Sequence, residues 1–400
     1  MPALELLLTL EQAQELVLAH ARPLPVEDVA VGAASGRVAA ADVAAVVDLP
    51  PFASSAMDGF AVRSGDVPGT LRVAGEAAAG SPFRGRVEAG EAVAISTGGV
   101  VPEGADAVVP VEVVVVGDNT VEIAREVEAG ANVRPRGGDV RAGDAVAAAG
   151  LLLSPAHVAA AAAAGVATVS CARLPRVAVV ATGSELVPAG VPLAEGQVYE
   201  ANGSMLAAAL AVTPAAVGAP ETVGDDEAAL RSAFERALAA ADVLVTSGGV
   251  SVGEHDLVRA IERALGVEEV FWRVALKPGK PVAFGVRGNT LVFGLPGNPV
   301  SALVGAELFV KPALRALQGA ADPLPRQEPG RLAASVRRDP ERDQFVRARA
   351  RRDGETVLLE PVRGQESHMI VRSAAAQALV HVPRGNGELP AGVVVSWLRL

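Results

Sequence analysis

The chain has 400 residues, too many for one ordinary hydrophobic core, so about two to four domains are expected. Half of the residues are hydrophobic and only 3% are aromatic, which leaves Ala, Val and Leu to build the cores. The net charge of -11 argues against a nucleic-acid partner, which would call for a basic face. A single cysteine, Cys171, excludes disulfides within the chain, argues against a cysteine-based zinc site and suits a cytoplasmic protein.

The first stretch, MPALELLLTLEQAQELVLAHA, carries three glutamates and no basic cluster. It reads as an amphipathic helix, not a secretion signal. Helical pattern returns at 154–165, so residues 1–45 and 145–174 are expected to form one helical unit, with residues 46–144 inserted into it. The insert is split into short apolar runs by Gly, Pro and Asp, as in EAVAISTGGVVPEGADAVVPVEVVVVGDNTVEIA, and this predicts an all-β module. Residues 151–172, LLLSPAHVAAAAAAGVATVSCA, are apolar enough to suggest a membrane span, but Pro155, His157 and Gly165 interrupt them. A buried helix is the reading taken.

Over 175–322 strand and helix patterns alternate. PRVAVVATGSEL is a buried strand entering a small-residue turn, and NGSMLAAALA is a helix with Asn202 as its N-cap. GDDEAALRSAFERALAAA is a helix with acid at its start, where the helix dipole favours it. VLVTSGG and EEVFWRVAL are strands, EHDLVRAIERALG a helix, and NTLVFGLPGNPVSALVGAELFVKPALRALQ a strand, turn and helix. The pattern predicts a doubly wound, mostly parallel α/β domain. Residues 323–400 return to strands and predict a small β-barrel-like domain.

Ligands of an open α/β sheet sit beyond the carboxyl ends of its strands. Three loops fall there: ATGSEL with Ser184, TSGGVSVGEHD with Ser247, Gly248 and Gly249, and GLPGNP with Pro296, Gly297, Asn298 and Pro299. Backbone N–H groups in such turns hold anions without side-chain charge. The chain has only three lysines, Lys277, Lys280 and Lys311, and two of them fall in KPGK, one strand onward. Those two are expected to supply the positive charge that the glycine loops lack. Neither GxxxxGK[ST] nor GxGxxG occurs at these loops, which disfavours an ordinary P-loop NTPase or dinucleotide dehydrogenase. Glu185, Glu254 and Asp256 follow the Gly/Ser turns, and carboxylates beside phosphate call for an intervening cation, with Mg²⁺ the natural choice. His255 has no second histidine at ligand spacing and reads as a surface or packing residue.

Upstream, DLPPFASSAMDGFAV, STGGVVPEGADAVVP and RPRGGD read singly as polar loops of the β module. Taken in order with VATGSELV, GQVYEANGSML, TSGGVSVGEHD, LKPGKPVAFG and GLPGNPVSALV, they resemble the molybdopterin molybdenumtransferases, the molybdenum insertases. The resemblance implies an enzyme that takes adenylated molybdopterin and molybdate, cleaves the adenylate's phosphoanhydride with Mg²⁺, joins molybdenum to the dithiolene and releases AMP. It implies catalytic roles for Asp58, Glu185 and Asp256, and metal binding by Glu185, Asp225 and Asp256, with Asp226 adjacent to Asp225 in the alignment. Substrate binding is implied for Thr97, Arg134, Asp139, Lys277 and Lys280, with Pro296 and Pro299 shaping the neighbouring turn and Ser367 matching a serine of the C-terminal domain. Arg273 stands where many relatives have Lys. A homodimer is also implied, with the cleft between the α/β domain of one chain and the β module of the other; neither nucleic acid nor membrane is expected as a partner. The alternatives are a non-catalytic pterin-binding or scaffold protein on the same fold, a tungstate-specific paralogue, or an unrelated sugar- or nucleotide-binding α/β protein.

Overall fold

The computed structural model describes residues 7–249 and 257–400. The first helix, Leu10–His20, starts at a capping box: the Thr9 hydroxyl accepts from Gln12 N–H, and Thr9 N–H donates to the Gln12 side chain. Its apolar residues Leu10, Ala13 and Val17 follow one face and bury in the core of the α/β domain. The expected helical unit over 1–45 and 145–174 therefore differs from the fold in two respects. The helix packs elsewhere, and the following residues are strands: Val26–Ala30 pairs antiparallel with Thr168–Ala172, and Val43–Ala44 pairs with Ala145–Ala147. Pro23 and Pro25 end the helical pattern before them.

The expected buried helix at 151–172 also needs correction. Its helix spans only Pro155–Ala163, opens at the Ser154 cap, and buries Ala161 alone. Gly165, with φ of 82°, turns the chain into the strand that follows. Alanine confers helix propensity there, but too little apolar area to hold the helix inside.

The β module is a six-stranded sheet in the order Ala107–Pro110, Gly59–Val62, Glu91–Ile95, Gly69–Ala77, Thr120–Ile123, Val115–Gly117. Alternate residues fill its two faces: Phe60 and Val62 enter one cluster, Ala61 the other. Gly59 is required by a close approach, since a Cβ would lie 2.0 Å from the Val109 carbonyl oxygen.

In the α/β domain, Ala216–Val217, Arg176–Thr182, Val243–Ser247 and Thr290–Leu295 run parallel. Ala283–Arg287 runs antiparallel to Thr290–Leu295, and Glu268–Trp272 pairs antiparallel with Ala283–Arg287 in turn, so EEVFWRVAL keeps the direction of the four parallel strands and Ala283–Arg287 is the reversed one. Gly288-Asn289 closes a two-residue hairpin between Arg287 and Thr290, and so short a link permits only an antiparallel return. Parity separates the two faces. Val177, Val179, Val243 and Val245 meet Leu206, Leu210, Val304 and Leu308 on one side. Val180, Leu244 and Val292 meet Leu230, Phe234 and Ile261 on the other.

The helix that begins at Pro299 winds as a π-turn over Ala306–Val310 before continuing through Lys311–Leu317. Pro312 has no N–H for the Leu308 carbonyl, and its ring crowds that oxygen. Gln14 of the first helix donates to it instead, at 3.0 Å.

Five strands, Asp343–Asp353, Thr356–Pro361, Glu328–Leu332, Val394–Arg399 and Ala378–Val382, close into a barrel because the last also pairs with the first. Val346, Ala348, Leu359, Val380 and Trp397 fill it. Phe345, Leu379 and Leu398 instead face the α/β domain and join its core. Leu276–Lys277 pairs in parallel with Asp343–Gln344, which binds the KPGK segment to the barrel. Among the described residues no helix is long and apolar enough to cross a membrane.

Candidate functional site

A cleft of about 820 Å³ opens where Arg176–Thr182, Val243–Ser247 and Thr290–Leu295 end. All three glycine loops reach it. Gly248 and Gly249 have φ of 99° and 66°, a region that favours glycine. A Cβ on Gly248 would meet the Thr182 oxygen at 2.4 Å, and one on Gly249 would meet Val258 at 2.2 Å. No other residue keeps this turn.

Asn202 holds two of the loops at fixed spacing. Its side-chain N–H donates to the Ser247 hydroxyl at 2.9 Å and to the Gly297 carbonyl at 2.7 Å. The expectation that Asn202 caps its helix is corrected: Asn202 is the first helical residue, Ala201 is the N-cap, and Glu200 accepts from Gly203 N–H at 2.6 Å. The third loop is fixed by a reciprocal pair. Ser184 N–H donates to the Asp225 carboxylate at 3.0 Å, and Asp225 N–H donates to the Ser184 hydroxyl at 2.8 Å. Of the two adjacent acids, Asp225 lines the cleft and Asp226 caps its helix by accepting from Ala229 N–H.

The fourth wall comes from the barrel. Ser367 accepts from the Asn298 side chain at 2.9 Å, its carbonyl accepts from Val300 N–H, and His368 and Ile370 line the cleft. Arg347, only 1% exposed, fixes this strap. Its guanidinium donates to the carbonyls of Gly364, Glu366 and Met369 and to the Ser373 hydroxyl. Burial pushes the Arg347 pKa down from its ordinary value, against the pull of Glu366.

The cleft thus gathers Glu185, Asp225, Ser247, Gly248, Gly249, Pro296, Gly297, Asn298 and Pro299, with Ser184 and Ser367 bonded to its walls. Asp256, Glu254 and His255 lie outside the described residues. The two lysines are placed differently. Lys277 reaches Asp339 of the barrel at 3.4 Å, and Lys280 is exposed; neither lines the cleft, whose contribution from that loop is Pro281. Burial raises the Asp339 pKa, but hydrogen bonds from Arg342 and Glu341 N–H, with Lys277, bring it down to about 2. Arg273 does not line the cleft either; it stacks on Trp272 at 3.6 Å, opposite Arg259 at 4.0 Å.

Residues 46–144 contribute nothing to the cleft lining, yet the β module assembles its own cluster. Segment 49–58 is the hub. Thr97 N–H donates to the Asp58 carboxylate at 2.7 Å, Arg134 pairs with Ser54, and Asp139 N–H donates to the Leu49 carbonyl.

Among the described residues no Lys or Arg lines the cleft, while Glu185, Glu200 and Asp225 do. The Glu185 carboxylate makes no hydrogen bond or ion pair among the described residues, and Glu200 is engaged by its helix. Two hard carboxylates beside backbone anion cradles fit Mg²⁺, which completes its shell with phosphate oxygens and water. No three His, Cys, Asp or Glu side chains converge on a metal site among the described residues, so the cation would lean on the substrate.

Residues 8–165 match the MoeA N-terminal region (domain I and II), 178–316 a probable molybdopterin binding domain, and 329–400 the MoeA C-terminal region (domain IV). The chain is 40% identical over 317 residues to the molybdopterin molybdenumtransferase of Haemophilus influenzae, covering 78% of each chain. The chain belongs to the molybdopterin molybdenumtransferases. Members of the family are transferases of molybdenum cofactor biosynthesis, and so is this chain. Molybdopterin molybdenumtransferase 2 of Mycobacterium tuberculosis is 39% identical over 90% of this chain and 91% of its own length. The crystal structure of the molybdopterin biosynthesis moeA protein from Pyrococcus horikoshii superposes with a TM-score of 0.83 at 27% identity, covering 98% of this chain and 100% of that one.

Site residues that escape the sequence reading include Asn202 as a tie, Tyr199, Glu200, His368 and Ile370 in the lining, and Arg347 under the strap. Only Arg347 leaves a usable signal. In QFVRAR it keeps the parity of Phe345, which places it toward the α/β domain.

Proposed function

We propose that the chain inserts molybdate into adenylated molybdopterin, with Mg²⁺-dependent cleavage of the adenylate and release of AMP. The observation that carries this is the cleft lining: glycine-loop amides beside the carboxylates of Glu185 and Asp225, with no Lys or Arg among the described lining residues. Such a lining suits a phosphoanhydride that arrives with a divalent cation, and it opposes binding of a bare anion. Mg²⁺ held by Glu185, Asp225 and Asp256 would offset charge at the anhydride. The chain's own residues do the rest. Gly248, Gly249 and Gly297 present backbone to the phosphates, Asn202 keeps their loops in register, and Ser184 holds Asp225 in place.

The β-module cluster around Asp58, Thr97, Arg134 and Asp139 is built but contributes nothing to the cleft of its own chain. A homodimer in which one protomer's cluster faces its partner's cleft gives it a role, and would bring Asp58 to the reacting anhydride. The protein is proposed to work in the cytoplasm.

The test incubates purified protein with adenylated molybdopterin, with and without molybdate and Mg²⁺, and follows AMP by chromatography. AMP release that needs both additions supports the reading. Tight pterin binding with no AMP release refutes it in favour of a scaffold. Preference for tungstate over molybdate would reassign the oxyanion.

A further inference from the structure

We infer that Tyr199 is a stacking platform for the fused heterocycle of the ligand, at the open side of the cleft. This deepens the function proposed above and rests on it. Of nine Phe, two Trp and one Tyr, only Phe52 and Tyr199 are exposed, and Tyr199 lines the cleft. The residue is 45% exposed, and its hydroxyl makes no hydrogen bond among the described residues. It belongs to none of the buried clusters, so packing does not account for it.

Its backbone is fixed from both sides. Val198–Tyr199 pairs in parallel with Leu186–Val187, Val198 N–H donates to the Glu185 carbonyl, and Glu200 N–H donates to the Val187 carbonyl. The next residue, Glu200, is then tied to the first turn of the helix by its carboxylate. A phenol held out on so firm a support is a preformed surface, and a ligand need not order it on binding.

The cleft lining includes deeply buried polar residues and exposed residues with apolar surface. Ser247 and Thr182, at the glycine loops, are 2% and 5% exposed and mark the floor. Val198 and Tyr199, 50% and 45% exposed, mark the mouth, with Ile370 also in the lining. A ligand that carries phosphate at one end and a planar bicyclic ring at the other matches both kinds of lining. Adenine and pterin share that ring chemistry, and the experiment separates them.

Titration calorimetry compares wild type, Tyr199→Phe and Tyr199→Ala with three probes: AMP, a phosphorylated pterin and inorganic pyrophosphate, each with Mg²⁺. An aromatic face stacks on a planar ring, so Tyr199→Ala is expected to weaken one of the two ring-bearing probes about tenfold, equivalent to about 1.4 kcal/mol. Tyr199→Phe keeps that affinity, and pyrophosphate is unaffected in all three proteins. The probe that loses affinity names the ring. Unchanged affinity of Tyr199→Ala for both ring-bearing probes overturns the inference and leaves the proposed function standing. An equal loss for pyrophosphate overturns it as well, because the residue would then act on the loops. Wild type that binds none of the three overturns the proposed function, and this inference with it.

Discussion

Asp242 anchors the end of the sheet opposite the cleft, and its removal should separate stability from activity. Its carboxylate accepts two hydrogen bonds from Arg173 at 2.7 Å, one from Arg176 N–H at 2.8 Å and a longer one from the Arg176 side chain. Burial raises its pKa, but these partners prevail and lower it from 3.8 to about 2. At about 1.4 kcal/mol per unit, that shift corresponds to roughly 2 kcal/mol of stability at neutral pH. The side chain is 11% exposed, so solvent screens little of it. Asp242→Asn is expected to lose about that amount. Trp272 reports on this domain once Trp397 is replaced by Phe, and the two proteins can be compared by urea unfolding followed by fluorescence. With a urea slope of about 1–3 kcal/mol per molar, the midpoint should fall by roughly 1 M. The folded pKa lies below the unfolded one, so the contribution is complete above about pH 3.8 and fades as pH falls toward 2. The two midpoints should therefore converge over that window. Equal midpoints at pH 7, or a gap that persists undiminished at pH 2, would refute the reasoning.

Gly249→Ala forces a side chain into φ of 66° and within 2.2 Å of Val258; ligand affinity should fall at least tenfold with a strain of about 1–3 kcal/mol, as calorimetry with AMP would report. Arg347→Met removes the donors that hold the strap, so trypsin should cut at Arg363 or Arg372 several-fold faster than in wild type, while the circular dichroism spectrum stays unchanged. Glu185→Gln and Asp256→Asn should each slow molybdate-dependent AMP release by about 100-fold or more with urea midpoints unaltered, and full turnover in both would remove the roles assigned to them.

Much of the α/β domain was legible because its signals are local. VLVTS is a run of buried residues ending in glycine, and such a run is a strand wherever it occurs in an alternating pattern. The three loops were legible for the same reason. Residues 26–44 were not. Their short strands hold together only by pairing with partners more than a hundred residues away, which no local period announces. Asn202 misled because Asn at a helix start ordinarily caps it, and here a glutamate two residues earlier does that work. The placement of the KPGK lysines was not legible, because charge in a sequence carries no direction. The strand that carries Lys277 is paired to the barrel, and that pairing turns the ammonium toward Asp339.

The seam where Phe345, Leu379 and Leu398 enter the neighbouring core has a practical consequence for anyone dissecting this molecule. The last eighty or so residues are not a detachable accessory. A chain shortened at residue 322 would bare a greasy scar on the sheet and lose the wall that carries Ser367, and it should precipitate where the whole chain stays in solution.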